Sequence, residues 1–213
     1  MIGFLGGTGP EGRGLALRFA LAGEEVIIGS REATRAQEAA RSVSTLAPGL
    51  RVKGATNREA AAASIVIVTV PYAGHRETLA SLAHELSGKV VIDVVAPLAF
   101  SKGRARAIPV ESGSVAQEAQ ALLPNSRIVS AFHNVSAEDL LEPAKVIDCD
   151  VVVCSDDKEA KAQVMALAET IKGVRAVDGD GLENSRYLED LTALLLNINR
   201  IYKGHSMIKI VGI

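Results

Sequence analysis

The chain has 213 residues, enough for one large domain or one domain with a small appendage, and its 48% apolar and 23% charged residues are ordinary for a globular protein. A net charge of −2 argues against a nucleic-acid surface or an anionic membrane as the main partner, and no apolar stretch reaches the length of a membrane span. Two cysteines, Cys149 and Cys154, are too few for a disulfide framework and lack neighbours at zinc-site spacing, so they read as small buried apolar residues in a reduced, cytoplasmic setting.

The first predicted strand, 2–6, leaves no room for a cleavable leader and runs into Gly7-x-Gly9-x-x-Gly12. In this pattern Gly7 permits the tight turn, Gly9 lets backbone approach a pyrophosphate, and Gly12 lets the helix at 11–22 pack on the strand. The amides and dipole of that helix start form an anion site.

The next strand, 25–29, ends in Ser30-Arg31, with Arg35 one helical turn further on. An NAD-binding unit usually carries Asp or Glu at this tip, to accept from the ribose 2′-hydroxyl. A hydroxyl and two guanidiniums suit a 2′-phosphate instead, so NADP is preferred over NAD. Ser30 could also cap the following helix, and Thr8 could lend a third hydroxyl. The alternative is that Arg31 and Arg35 form a solvated face paired with Glu32 or Glu38.

Helices at 32–46, 57–62, 75–87, 114–123, 137–141 and 157–171 alternate with strands at 51–53, 65–70, 89–95, 127–131, 150–154 and 174–177. This is an α/β pattern: a Rossmann-type, doubly wound, mainly parallel sheet with helices on both faces and the first strand central. Ligands in such folds bind at the carboxyl ends of the strands. The tips Val70-Pro71 with His75, Ala96-Pro97, and His133 to Ala137 should therefore converge on the nicotinamide side. His75 starts a helix beside the cofactor, or is a cap or surface residue. His133 directly follows a buried strand and could hydrogen-bond a substrate ring or donate a proton, or else hold its own loop.

Residues 101–113 are polar without a clear period and read as a loop near the site. The last helix, 181–203, carries a nearly continuous apolar stretch from Leu191 to Ile198, so it needs a second cover, plausibly another subunit or a substrate pocket. A homodimer is the default symmetric solution. The closing run Met207 to Val211 is strand-like and could join a sheet edge or a partner. There is no nucleophile elbow, no metal-binding histidine pair, no Walker-type phosphate loop and no lysine- or tyrosine-based acid/base set. A site with apolar tips and one histidine suits hydride transfer between two ring cofactors, which chiefly requires alignment.

Three segments, GGTGPEGRGLALRFALAGEEVIIGSR (6–31), SAFHNVSA (130–137) and GLENSRYLEDLTALLLNINR (181–200), resemble the NADP oxidoreductases that use the deazaflavin coenzyme F420. The resemblance covers essentially the whole chain and departs at VIDVVAPLAF (91–100) and in the final residues. It implies a dimer built from an NADP-binding Rossmann domain, 1–155, and a smaller C-terminal helical domain, 156–213, that closes the pocket and dimerises. The implied reaction is reversible hydride exchange between NADP(H) and coenzyme F420. By position it implies pyrophosphate and ribose contacts from Thr8, Gly9, Pro10 and Glu11, and a 2′-phosphate held by Ser30, Arg31 and Arg35. The nicotinamide end would be framed by the strand tips and Ala137, with His133 and Val135 facing the deazaflavin and Ser206 at the pocket's closure. Two other readings stand beside it: an NADPH-dependent reductase of a flavin, imine or carbonyl, and a non-catalytic NADP sensor.

Overall fold

A computed structural model describes residues 1–213. Its centre is a six-stranded, wholly parallel sheet in the order β3-β2-β1-β4-β5-β8. The strands are β1 (Ile2–Leu5), β2 (Val26–Ser30), β3 (Val52–Thr56), β4 (Ile65–Val68), β5 (Val90–Asp93) and β8 (Arg127–Ser130). Runs such as VIIGS, IVIV and VVID are mostly β-branched, with polar residues only at their carboxyl tips, because most of their residues are buried between helix layers. Strand β1 is central, with β2 on one side and β4 on the other, so the winding reverses at its carboxyl end.

Helices α1 (Pro10–Leu21), α2 (Ala33–Ser44), α3 (Asn57–Ala60), α4 (Tyr72–Ser81), α5 (Ala83–Leu86) and α6 (Val115–Leu122) connect these strands. The buried apolar residues form one cluster of 31 and another of 18. The larger includes Phe4, Leu15, Phe19, Ile28 and Phe132, and the smaller Leu5, Val66, Leu79, Leu86 and Val115. Beyond β8 lie the short helix α7 (Ala137–Leu140) and a βαβ unit of β9 (Cys149–Val153), α8 (Lys158–Glu169) and β10 (Val174–Asp178). An antiparallel bridge, Ser130 to Cys154, fastens β9 to β8.

Residue 155 lies between β9 and α8 of the βαβ unit, whose Val151, Val164 and Val174 share the larger cluster with Phe4. Several expectations are corrected. Residues 101–113 are not simply loop: β6 (Leu98–Ser101) and β7 (Arg104–Ala107) form an antiparallel hairpin. Its turn residues Lys102 and Gly103 both have positive φ, 49° and 72°, as a two-residue hairpin turn requires. The helix expected at 75–87 begins at Tyr72 and breaks at Leu82. The last helix opens with a 3₁₀ turn, Leu182–Asn184, before α9 (Ser185–Tyr202). Residues 207–211 form no strand, because side chains take the place of a ladder partner. Ile208 O does accept from Asp150 N at 2.8 Å, but Ile210 N donates to the Asp150 carboxylate and Arg175 to Ile210 O, each at 2.6 Å.

Candidate active site

The turn between β1 and α1 is shaped by glycines. Gly6 has φ +71°, and a Cβ there would lie 2.5 Å from Val70 Cγ1. A Cβ on Gly12 would lie 2.6 Å from Gly7 Cα, so helix and turn touch as closely as backbone allows. Gly7 N donates to Gly29 O at 3.0 Å, which ties the turn to β2. A Cβ on Gly9 would meet nothing within 4 Å, so the space above it is open. Gly9 is the N-cap of α1 with Pro10 next, and no side chain caps the helix, which leaves its first-turn amides for a ligand.

Glu11 sits in that first turn, where an ionised carboxylate would repel phosphate. Its Oε1 is buried without a partner, and burial pushes its pKa up to about 8. At neutral pH the group is an uncharged acid, compatible with an anion beside it.

At the tip of β2, Ser30 is buried and its Oγ accepts from Glu32 N at 3.3 Å. It does not cap α2, whose N-cap is Glu32, with the first helical residue at Ala33. Arg31 and Arg35 are exposed, and neither forms an ion pair with Glu32, Glu38 or any other carboxylate.

The tips of β4, β5 and β8 lie side by side along the same sheet edge. Val70 is buried against Gly6, and Pro71 is the N-cap of α4. The cofactor contact expected of His75 is not open to its side chain, which is fully buried inside α4 and pairs through Nε2 with Asp93 Oδ2 at 2.7 Å. Asp93, the last residue of β5, also accepts from Val95 N at 2.9 Å and so bends the chain towards Ala96 and Pro97. Pro97 lines a cavity of about 350 Å³ with Ile108, Val110, Arg186, Glu189 and Asp190. Glu189 is buried and receives Val115 N at 2.9 Å and Ala116 N at 3.2 Å, so α9 caps α6. Burial pushes the Glu189 carboxyl up to about 7.

Beyond β8, Phe132 has φ +66° and meets Phe19 edge to face at 5.9 Å. His133 is buried, and neither ring nitrogen has a partner. Burial pushes its pKa down to about 4, against the opposing pull of Asp93. It is therefore a neutral imidazole at physiological pH, with no imidazolium proton to supply. The Asn134 side chain donates to Leu188 O at 3.1 Å. Val135 is buried, and Ser136 caps α7 by accepting from Asp139 N at 3.1 Å. Ala137 O would lie 3.2 Å from a Cβ on Gly14, so α7 sits tightly on α1. Arg18, buried one helical turn further along α1, donates to the carbonyls of Asp139, Leu140, Glu142 and Lys145 at 2.6–2.8 Å and locks that contact. Ser206 donates through N and Oγ to Asn199 Oδ1, both at 2.6 Å, while neighbouring His205 Nδ1 pairs with Asp139 at 2.6 Å.

Sequence reasoning did not find Asp93, Glu189 or Arg18. Asp93 carried one signal, a carboxylate ending a wholly apolar strand. Both cysteines are free and buried, and burial raises their thiols, Cys149 to about 12 and Cys154 to about 11.

Comparison with known proteins bears on this edge of the sheet. Residues 1–97 match the family described as NADP oxidoreductase, coenzyme F420-dependent. The F420-dependent NADP reductase of Methanothermobacter marburgensis is 47% identical over 205 residues, 93% of this chain and 92% of the relative. That of Methanocaldococcus jannaschii is 41% identical over 95% of this chain and 94% of its own. A crystal structure from Arthrobacter sp. FB24, described as a candidate F420-dependent NADP reductase, superposes with a TM-score of 0.82 at 27% identity, covering 99% of each chain.

Proposed function

This chain belongs to the family of F420-dependent NADP reductases, and we propose that the crevice along the carboxyl edge of its sheet is where the two carriers of that reaction meet. The activity is an oxidoreductase reaction, reversible hydride transfer between NADP(H) and the deazaflavin coenzyme F420. With both bound, a hydride passes between C4 of the nicotinamide and C5 of the deazaflavin. The protein's part is to hold those two rings in contact and keep water from between them.

The residues fit the dinucleotide. Open space over Gly9 and the uncapped start of α1 admit a pyrophosphate, with Thr8, Pro10 and an uncharged Glu11 around it. Arg31 and Arg35, with Ser30, grip the 2′-phosphate. Val70, Pro71, Ala96, Pro97 and Ala137 frame the nicotinamide, and His133 and Val135 face the deazaflavin. Ser206, held beside α7 by the His205 to Asp139 pair, borders the pocket.

A second copy of the chain covers α9. Tyr187, Leu194 and Ile201 recur at heptad spacing and form one exposed stripe, with Tyr202 beside it and Phe100, 68% exposed, on the adjoining hairpin. No helix is long and apolar enough to cross a membrane, and we place the dimer in the cytoplasm.

The observation that carries this reading is the pair of unpaired, exposed guanidiniums, Arg31 and Arg35, directly after a strand that ends in serine where NAD-binding units carry an acid. Anaerobic mixing with NADPH or NADH and a panel of deazaflavin, flavin and carbonyl acceptors tests it, followed as loss of nicotinamide absorbance. Turnover with NADPH and the deazaflavin supports the reading. Transfer only to flavin or carbonyl acceptors, or equal turnover with NADH, would overturn it.

A further inference from the structure

Four charged or titratable side chains from three elements meet behind the β5 tip. Asp93 is wholly buried; one of its oxygens accepts from Val95 N at 2.9 Å and the other pairs with His75 Nε2 at 2.7 Å. His75, also wholly buried, has its second nitrogen 3.6 Å from Glu118 Oε1 on α6. Glu118 Oε2 pairs in turn with Arg76 at 2.8 Å. Burial works to lower the His75 pKa, but the Asp93 and Glu118 carboxylates outweigh it and the net shift is upward. Such an arrangement is expensive to bury unless its members are paired, and His75 Nδ1, beyond hydrogen-bond distance of Glu118, is the one ring nitrogen of the cluster left without a hydrogen bond. None of the four lies in the dinucleotide's path as the site is drawn above.

We infer that His75 is a positioning residue for hydride transfer, acting through Asp93 on the chain from Val95 to Pro97. The Asp93 carboxylate turns that chain off the sheet edge by accepting the amide two residues on. His75 fixes which way the carboxylate points. Without it, Asp93 is a buried carboxylate with one oxygen unpartnered, and it turns away from Val95 to find water or another donor. The tip then loosens on the side of the crevice where Ala96 and Pro97 frame the nicotinamide. Errors of about 1 Å in such a frame cost on the order of a hundredfold in rate. The inference rests on the reading of the crevice as the hydride-transfer site.

The test uses the full-length protein with His75→Ala, His75→Gln, Asp93→Asn and the double variant His75→Ala/Asp93→Asn. A glutamine Nε2 can donate to Asp93 much as the imidazole Nε2 does. Single-turnover oxidation of NADPH by coenzyme F420 is measured beside NADPH affinity by fluorescence and amide hydrogen exchange of the peptide spanning 93–98. His75→Ala should slow the single turnover at least tenfold while NADPH affinity changes less than twofold. His75→Gln should restore most of the rate, and the double variant should be no slower than His75→Ala alone. Exchange at Val95 should quicken in His75→Ala and return to the wild-type rate in His75→Gln. The exchange readout needs no turnover. If the wild-type chain transfers no hydride to the deazaflavin, the function reading fails, while protection at Val95 still decides whether His75 holds the tip. An unchanged single-turnover rate would overturn the inference. So would NADPH affinity falling in step with the rate, which would mean direct contact, or His75→Gln behaving like His75→Ala. If His75→Ala does not fold, wild-type exchange and rate in His75→Gln support the inference, and loss of both contradicts it.

Discussion

The hydroxyl of Thr192, on α9, sits between the carbonyl oxygens of His133 at 3.1 Å and Leu188 at 3.0 Å, and the Asn134 amide donates to that Leu188 carbonyl, one turn earlier on the same helix, at 3.1 Å. The loop that carries the buried imidazole is therefore pinned by a helix from the far end of the chain. The same helix receives the amides of Val115 and Ala116 at Glu189, and Asn197 bonds both backbone groups of Ala105 in the hairpin. α9 thus fixes the His133 loop, the start of α6 and the hairpin. Thr192→Val keeps the shape and removes the hydroxyl. We expect a stability loss of about 1 kcal/mol in urea melts, together with slower deazaflavin turnover and unchanged NADPH affinity. Unchanged turnover would show that the loop does not need this tether.

Arg31→Ala combined with Arg35→Ala should weaken NADPH binding by about 2–4 kcal/mol, the cost of losing charged hydrogen bonds to a phosphate. NADH binding, measured by the same fluorescence titration, should stay constant. The single variants should each lose part of the difference, because both guanidiniums are exposed and free of carboxylates. Equal losses for the two nucleotides would remove the 2′-phosphate assignment.

Glu11 should make NADPH binding pH-dependent. Its carboxyl, raised by burial to about 8, is neutral below that pH and ionised above it. Ionisation places a negative charge in the first turn of the phosphate-binding helix and opposes its dipole-assisted hold on the pyrophosphate. Affinity for NADPH should therefore decline between pH 7 and pH 9, and Glu11→Gln should flatten that decline. A wild-type titration with no alkaline limb would mean that the carboxyl lies clear of the ligand.

His133 contributes to acid sensitivity. Its pKa in the folded chain is about 4, below the ordinary 6.5, because burial penalises the charged ring. The unfolded chain takes up this proton first as pH falls, so the group's contribution is fully present above about pH 6.5 and is lost progressively down to about pH 4. The loss is on the order of 3 kcal/mol. His133→Gln carries no titratable ring, and its stability should fall less steeply over that window in denaturant melts at successive pH values. Parallel slopes would show that the imidazole is solvated in the folded chain. The same variant should lower acceptor turnover while NADPH affinity holds, since we propose that His133 faces the acceptor.

What the sequence made legible was local. The glycine turn, its flanking strand and helix, and the serine–arginine tip of β2 are contiguous, and each residue's role follows from backbone sterics or charge. The hairpin was obscured because its second strand, Arg104 to Ala107, consists only of charged and small residues and carries no apolar β-branched signal. Its signal was Gly103, which suits the positive φ of a tight hairpin turn, beside Lys102, which adopts positive φ without such a preference. The His75 to Asp93 pair joins a helix to the strand that follows it, and no spacing rule links the two. A histidine near a strand tip reads as a ligand contact until packing shows it sealed behind the tip. Glu11 and His133 were visible as residues, but their protonation states depend on burial that only the packed chain supplies. Residues 207–211 have strand composition without a strand partner, since Asp150 and Arg175 bond their backbone in place of a ladder.

The most direct measurement is deuterium transfer under anaerobic conditions, with NADPH deuterated at C4 on the transferred face and oxidised coenzyme F420. Nicotinamide and deazaflavin absorbance should fall together, one for one, with the label recovered at C5 of the deazaflavin and no comparable rate from NADH. Label washed into water, or nicotinamide oxidation that proceeds without loss of deazaflavin absorbance, would contradict direct transfer between two rings held in this crevice.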